Sequence, residues 1–248
     1  MSLVTLDEDG HILMPNTTRY AVIEIGCSDR DTLDEQFLPN HPKAFLVSFE
    51  PQLDKYAVLL ARGTTRLFGK TKDRSVPLGH HHERGVVLPL AISPHGGSLD
   101  FHVHHVAGCS SLMHLNQKGA WWAPWCKTPL ETRRVPSITL SDALALIPRN
   151  LPIALLKVDA QGVDDKLIRA TPARLLRRIE RITLEVRGSH CLPLYAGQEI
   201  CENVVEYMRS VRFDNASACP QPGTSKHWWR RPNCERAMSF IRLSLIHI

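Results

Sequence analysis

VIEIGCSDRD, residues 22–31, has the pattern of a buried strand that runs into a tight polar turn. Residues 21–27 are a short β-rich run that reaches Gly26, and residues 31–38 follow with Asp31 placed to cap a helix and Leu33 and Phe37 on one face. The pattern predicts strand, turn and helix. Residues 44–49 (AFLVSF) repeat it as a second buried strand. Pro51 then suits the first turn of a helix that carries Leu53, Tyr56, Ala57 and Leu60 on one face and stops at Gly63.

Outward from this βαβα opening, apolar runs keep alternating with amphipathic ones, as in a largely parallel sheet covered by helices. Residues 63–84 are polar and His-rich and read as loop; residues 86–92 give a third strand. Gly96 and Gly97 turn the chain into residues 98–106 (SLDFHVHHV), whose alternation predicts an antiparallel strand. Trp121, Trp122 and Trp125 stand in a stretch with no readable element. Residues 138–147 predict a short strand and a helix with Ser141 near its cap, and residues 151–158 (LPIALLKV) the next buried strand. Its helix spans 163–170, with Asp164 and Asp165 favouring the positive end of the dipole. A strand over 179–186, an amphipathic helix over 199–211 with Ile200, Val204 and Met208 in step, and a closing strand over 239–245 complete the pattern. The expected fold is Rossmann-like α/β, with a mostly parallel seven-stranded sheet and helices on both faces. One domain spans 1–248, with residues 1–19 as an N-terminal extension.

The hydrophobic content of 43% is that of a globular chain. A net charge of +5, with a pI near 8.9, permits a nucleic-acid partner without requiring one, because the positive residues are dispersed. Seven cysteines, odd in number and without paired zinc spacing, predict neither a disulfide scaffold nor a cysteine metal site, and favour a reducing compartment. The acidic start has no long apolar run, and no stretch reaches the length of a membrane span, so the expected location is cytoplasmic. Residues 243–248 (LSLIHI) read either as a translated sequencing adapter or as the end of a terminal strand.

The turn at 26–30 sits where open α/β sheets bind nucleotides, beyond the carboxyl end of a central strand. A dinucleotide would call for G-x-G-x-x-G, because pyrophosphate must approach bare backbone; this turn has only Gly26. S-adenosylmethionine carries an amino acid and a sulfonium instead, so one close approach suffices, with Glu24 organising the loop and the amino group. Glu50 stands twenty-four positions beyond Gly26, near the offset at which such folds place a carboxylate on the ribose diol. The competing role for Glu50 is a cap on the helix that begins at Pro51.

VIEIGCSDRDTL, VSFEPQLDKYAVL, LPLAIS followed by Gly97 and Phe101, Ser110-Ser111-Leu112, and then ITLSDAL, LLKVDAQGVDDKLI and ITLEV resemble, in this order, the FkbM-type methyltransferases. The resemblance covers residues 21–186. It implies a class I methyltransferase fold, S-adenosylmethionine as donor, and O-methylation of a hydroxyl on a sugar or secondary metabolite. The cofactor residues expected are Glu24, Gly26, Cys27, Ser28, Glu50, Pro51, Ala91 and Ser110. Two departures stand out: the second glycine of the first loop is replaced near Arg30, and K-[IV]-D-x-E-G appears as 157–162 (KVDAQG), with Gln161 in place of an acid.

Methyl transfer is an in-line displacement at an activated carbon, so a protein mainly aligns the acceptor and removes its proton. Asp159 and Glu185, at the ends of neighbouring strands, are the expected catalytic carboxylates, with Asp159 as base or orienting group. Lys157 pairs with a carboxylate or a loop carbonyl. His190 is a second candidate base or a solvated loop histidine. No metal is expected: His80, His81 and His82 with His95 cannot converge on one ion, and His102 and His104 form one sheet face. Residues 226–231 (KHWWRR) combine cations with aromatics, as single-stranded nucleic-acid binders do, or form a lip over the acceptor pocket. The expected partner is a small-molecule or glycan acceptor. The alternatives are an RNA or protein methyltransferase and a catalytically silent cofactor-binding module.

Overall fold

Every side chain of Ala44–Phe49 is buried, so this segment belongs inside a sheet covered on both faces. A computed structural model, which describes residues 4–28, 32–61, 78, 83–118, 124–126, 129–215, 217–221 and 234–243, shows that sheet. Its strands are β1 (Tyr20–Ile25), β2 (Ala44–Phe49), β3 (Gly85–Leu88), β7 (Ile153–Val158), β8 (Ile179–Arg187), β9 (Phe213–Asn215) and β10 (Glu235–Arg242). Three more, β4 (Ala91–Ile92), β5 (Gly97–His104) and β6 (Pro129–Ile138), make a second, smaller sheet. The helices are α1 (Leu33–Gln36), α2 (Leu53–Ala61), α3 (Leu140–Ala145), α4 (Asp164–Ala170), α5 (Ala173–Leu176) and α6 (Cys201–Ser210).

The large sheet runs β3-β2-β1-β7-β8-β10-β9, and β10 is antiparallel to both of its neighbours while the other paired strands are parallel. This is the expected Rossmann-like α/β fold. The chain winds outward from β1 through β2 to β3 and then returns to lay β7 on the other side of β1. The carboxyl ends of β1 and β7 therefore form a switch point, where the crossovers diverge and leave a crevice.

Alternation along the strands feeds two cores. Val22, Leu46 and Val87 pack with Leu33, Leu38 and Leu59 on one face; Ile23, Phe45 and Val47 join Leu144, Leu167, Ile168 and Met208 on the other. Each such side chain contributes roughly 1.5–3 kcal/mol on burial. The segment before β1 is tied to the second face: Ile12 is buried there and its N–H donates to the Leu146 carbonyl.

Three local expectations change. Residues 86–92 form two short strands rather than one, because Pro89 falls between β3 and β4, which belong to different sheets. The stretch 129–138, not read as an element, is the central strand of the small sheet. Thr139, rather than Ser141, caps α3: its side chain accepts from the Asp142 N–H, and Asp142 reaches back to the Thr139 N–H. For α1 the N-cap position is Thr32; Asp31, expected there, lies outside the described residues.

The cysteine expectation is overturned. Cys109–Cys126, Cys191–Cys234 and Cys201–Cys219 are disulfides with Cα separations of 5.4, 5.6 and 5.7 Å, and Cys27 is a buried thiol. Disulfides persist in oxidising surroundings, so the cysteines no longer argue for a reducing compartment. Two bridges tether the region between β8 and β10, and the third joins the turn after β5 to the segment before β6. No helix among the described residues is long and apolar enough to cross a membrane. Arg30, His80–82, Trp121, Trp122, the 226–231 patch and residues 244–248 lie outside the described residues.

Candidate functional site

The switch point is locked by backbone. The Asp159 N–H donates to the Ile25 carbonyl at 3.0 Å, and the Gly26 N–H to the Phe49 carbonyl at 3.0 Å. Gly26 has φ +73°, and a Cβ there would lie 2.1 Å from the Asp159 carbonyl oxygen. Glycine is thus required at 26 by the crossing of two loops. The sequence reading had attributed it to close approach by a ligand.

Glu50 joins the loops on the other side. Its Oε2 accepts the Ser28 N–H at 2.7 Å and its Oε1 the Gln52 N–H at 2.9 Å. Burial pushes its pKa up to about 7 against the pull of those two amides. Each oxygen, with one bond accepted, keeps a further acceptor position, which a vicinal diol can use. Ser28 is itself in the left-handed region, at φ +52°.

A cavity opens between these loops and the small sheet. Gly26, Ser28, Glu50 and Pro51 form one wall, Ala91, Phe101, Ser110 and Leu112 the opposite one, and Asp159, Ala160 and Gln161 the end. Six of the eight expected cofactor residues line it. The other two lie beneath: Cys27 is buried with its thiol against the Phe49 carbonyl, and Glu24 accepts the Leu33 N–H at 3.0 Å and the Lys157 ammonium at 3.0 Å. Glu24 therefore braces the start of α1 against β7, and burial raises its pKa to about 7. Among the described residues lining the cavity the only charged groups are Glu50 and Asp159.

Asp159 lines the cavity and Glu185 stands behind it. The Gln161 amide nitrogen donates to both, at 2.7 Å to Asp159 Oδ1 and at 3.4 Å to Glu185 Oε2. Burial raises both carboxyls, and for Glu185 the charges of Asp159, Glu235 and Asp164 add to the rise. Asp164, read in the sequence only as a helix-dipole residue, is buried and accepts the Ala160 and Glu185 N–H groups, fixing both chains that present the acids. Ser111 donates to the Gln161 carbonyl at 2.7 Å, and Ser110 accepts the His104 N–H. Tyr195, which sequence reasoning missed, donates its hydroxyl to Gln161 Oε1 at 3.0 Å. The one signal for it was Gly162, where a Cβ would come within 2.6 Å of the Tyr195 ring.

His190 is exposed and does not line the cavity. With Cys191 and Cys234 it forms the one group of three metal-ligand atoms close together among the described residues, and those cysteines are paired as a disulfide. His102 packs on His114, with ring centroids 4.2 Å apart.

No family model matches the chain, and no curated protein matches it in sequence. Among solved structures it is similar to M. capricolum TrmK bound to the cofactor product S-adenosyl-homocysteine (9% identity, TM-score 0.35, 93% of this chain), of which it spans 64%. It is also similar to the fibrillarin/Nop5p complex (10% identity, TM-score 0.42, 94% of this chain and 77% of that one). A third is the 16S rRNA methyltransferase KamB (8% identity, TM-score 0.41, 97% of this chain and 99% of that one). Likeness at this level speaks to neither the activity nor the acceptor of this chain.

Proposed function

We propose that the chain is an S-adenosylmethionine-dependent methyltransferase acting on a hydroxyl oxygen of a sugar or small metabolite. The observation that carries this reading is the pair of carboxyl groups, Glu50 and Asp159, that line the cavity at the switch point. Ionised carboxylates there would attract a ligand that carries a sulfonium and an ammonium. Glu50, at the end of β2, is placed to accept the ribose hydroxyls, with Gly26, Ser28 and Pro51 beside it and Ala91 and Ser110 across from it. The FkbM-type sequence pattern supports the choice of oxygen as acceptor atom. The same acidic lining disfavours a polyanionic RNA acceptor.

Bound S-adenosylmethionine supplies an electrophilic methyl carbon whose leaving group departs as a neutral thioether. Asp159, at the end of the cavity, would accept the proton of the acceptor hydroxyl. Burial brings the Asp159 carboxyl above its ordinary range and so closer to neutrality, which suits a base that must also release its proton. Glu24 and Lys157 do not line the cavity; they tie β1, β7 and the start of α1 together beneath it.

Calorimetric titration with S-adenosylmethionine, S-adenosylhomocysteine and NAD tests the assignment. Heat from the first two and none from NAD is the expected result. Binding of NAD with silence from the other two would overturn it.

A further inference from the structure

We infer that Gln161 is a positioning residue, a neutral double donor that fixes the Asp159 carboxyl group at the end of the cavity. The inference rests on the methyltransferase reading and adds to it the device that readies the base.

Gln161 is constrained at four points. Its backbone is in the left-handed region at φ +52°, an uncommon place for a residue with a side chain. Its carbonyl accepts from Ser111, which stands between the lining residues Ser110 and Leu112. Its Oε1 accepts from Tyr195, and its Nε2 donates to Asp159 and Glu185. The reversed amide would aim Oε1 at two carboxylates, so the tyrosine hydroxyl and the acids select the same orientation. An NH₂ group has two hydrogens, and here each has a carboxylate to serve.

The surroundings explain why a neutral donor belongs at this position. Asp159 comes from the end of β7, Asp164 from α4, Glu185 from β8 and Glu235 from β10, and each carboxyl is raised by burial. Lys157 pulls Asp159 down, but its ammonium is bonded to Glu24. Tyr195 is buried against the same acids, which raise it further. The hydrogen bond from Gln161 lowers Asp159. Without that bond, the Asp159 carboxyl takes up a proton at higher pH. A glutamate at 161 would bring a further negative charge and, once ionised, no hydrogen to donate.

The test follows the Asp159 carboxyl itself. The full chain is isotope-labelled at aspartate carboxyls, the Asp159 resonance is assigned with Asp159→Asn, and its pH midpoint is measured by NMR. Gln161→Met, which lacks the donors, and Gln161→Glu, which adds a carboxyl, are each expected to raise the midpoint by about one pH unit or more. Tyr195→Phe, which frees the amide to turn, is expected to raise it less, and it serves where a Gln161 variant fails to fold. Midpoints within about 0.3 pH unit of wild type would overturn the inference and leave Gln161 a packing residue. Titration of the wild-type protein with S-adenosylhomocysteine separates the two claims. Absence of binding together with a shifted Asp159 midpoint would sink the methyltransferase reading, not the control of Asp159 by Gln161.

Discussion

A Cβ on Gly26 would stand 2.1 Å from the backbone carbonyl oxygen of Asp159. The loop that presents Ser28 to Glu50 and the loop that presents Asp159 are therefore in direct contact, and neither can shift alone. Gly26→Ala must move the backbone of one or both of these touching loops and adopt φ near +73°. The expected loss is about 2 kcal/mol or more of stability, read by urea denaturation, together with loss of S-adenosylhomocysteine binding.

Glu24 and Lys157 form the buried tie between β1 and β7, at 3.0 Å, with Glu24 almost fully enclosed and the Lys157 side chain 22% exposed. Lys157→Met leaves a buried carboxylate without its cation. We expect a loss of about 2–4 kcal/mol, below the fully buried range because Lys157 retains some contact with water. The double variant Lys157→Met, Glu24→Leu should recover part of that loss. An additive double variant, measured in a denaturation cycle, would show that the two side chains do not interact.

The raised carboxyls also set how stability varies with pH. Burial pushes Glu24 and Glu50 up to about 7 in the folded chain from an ordinary value of 4.5. Between those values the folded protein holds protons that the unfolded chain has released, so the contribution of these groups is full below pH 4.5 and is lost as pH rises through 7. Thermal midpoints should fall between pH 5 and pH 8 more steeply in wild type than in Glu24→Gln, on the order of a few kcal/mol in stability. A flat wild-type profile over that interval would remove the argument that burial governs these two acids.

Alkylation under denaturing, non-reducing conditions should label one cysteine, Cys27, and after reduction all seven. Opening the Cys191–Cys234 or Cys201–Cys219 bridge should cost about 2–5 kcal/mol, seen as an earlier urea midpoint. Seven labelled cysteines without reductant would return the protein to the reducing setting that its sequence suggested.

Much of the sheet was legible because parallel strands buried on both faces read as continuous apolar runs, as in AFLVSF and LPIALLKV. The small sheet was not. Among the described side chains of β6 only Val135 and Ser137 are buried, and prolines at 129 and 136 interrupt the alternation that would mark a strand. The cysteine pairs are separated by 17, 43 and 18 residues and come together only through the fold, which spacing cannot reveal. The place of Glu50 on the cavity wall was readable from its distance to Gly26. Gln161 was visible only as a missing acid, since its role depends on Tyr195, Ser111 and Glu185, each brought to it from elsewhere in the chain. At Gly26 the spacing could not show a second demand: the Asp159 carbonyl approaches it.

The central claim is that Glu50 receives the ribose of the donor. It is tested by calorimetric affinity for S-adenosylhomocysteine across neutral pH, in wild type and in Glu50→Gln. The carboxyl of Glu50 titrates at about 7 in the folded chain, and only its ionised form offers both oxygens to the diol. Wild-type affinity should therefore rise between pH 6 and pH 8, while Glu50→Gln binds about tenfold or more weakly and shows no such rise, as expected when a charge-assisted hydrogen bond is lost. Equal affinity of the two proteins at pH 8 would contradict the account.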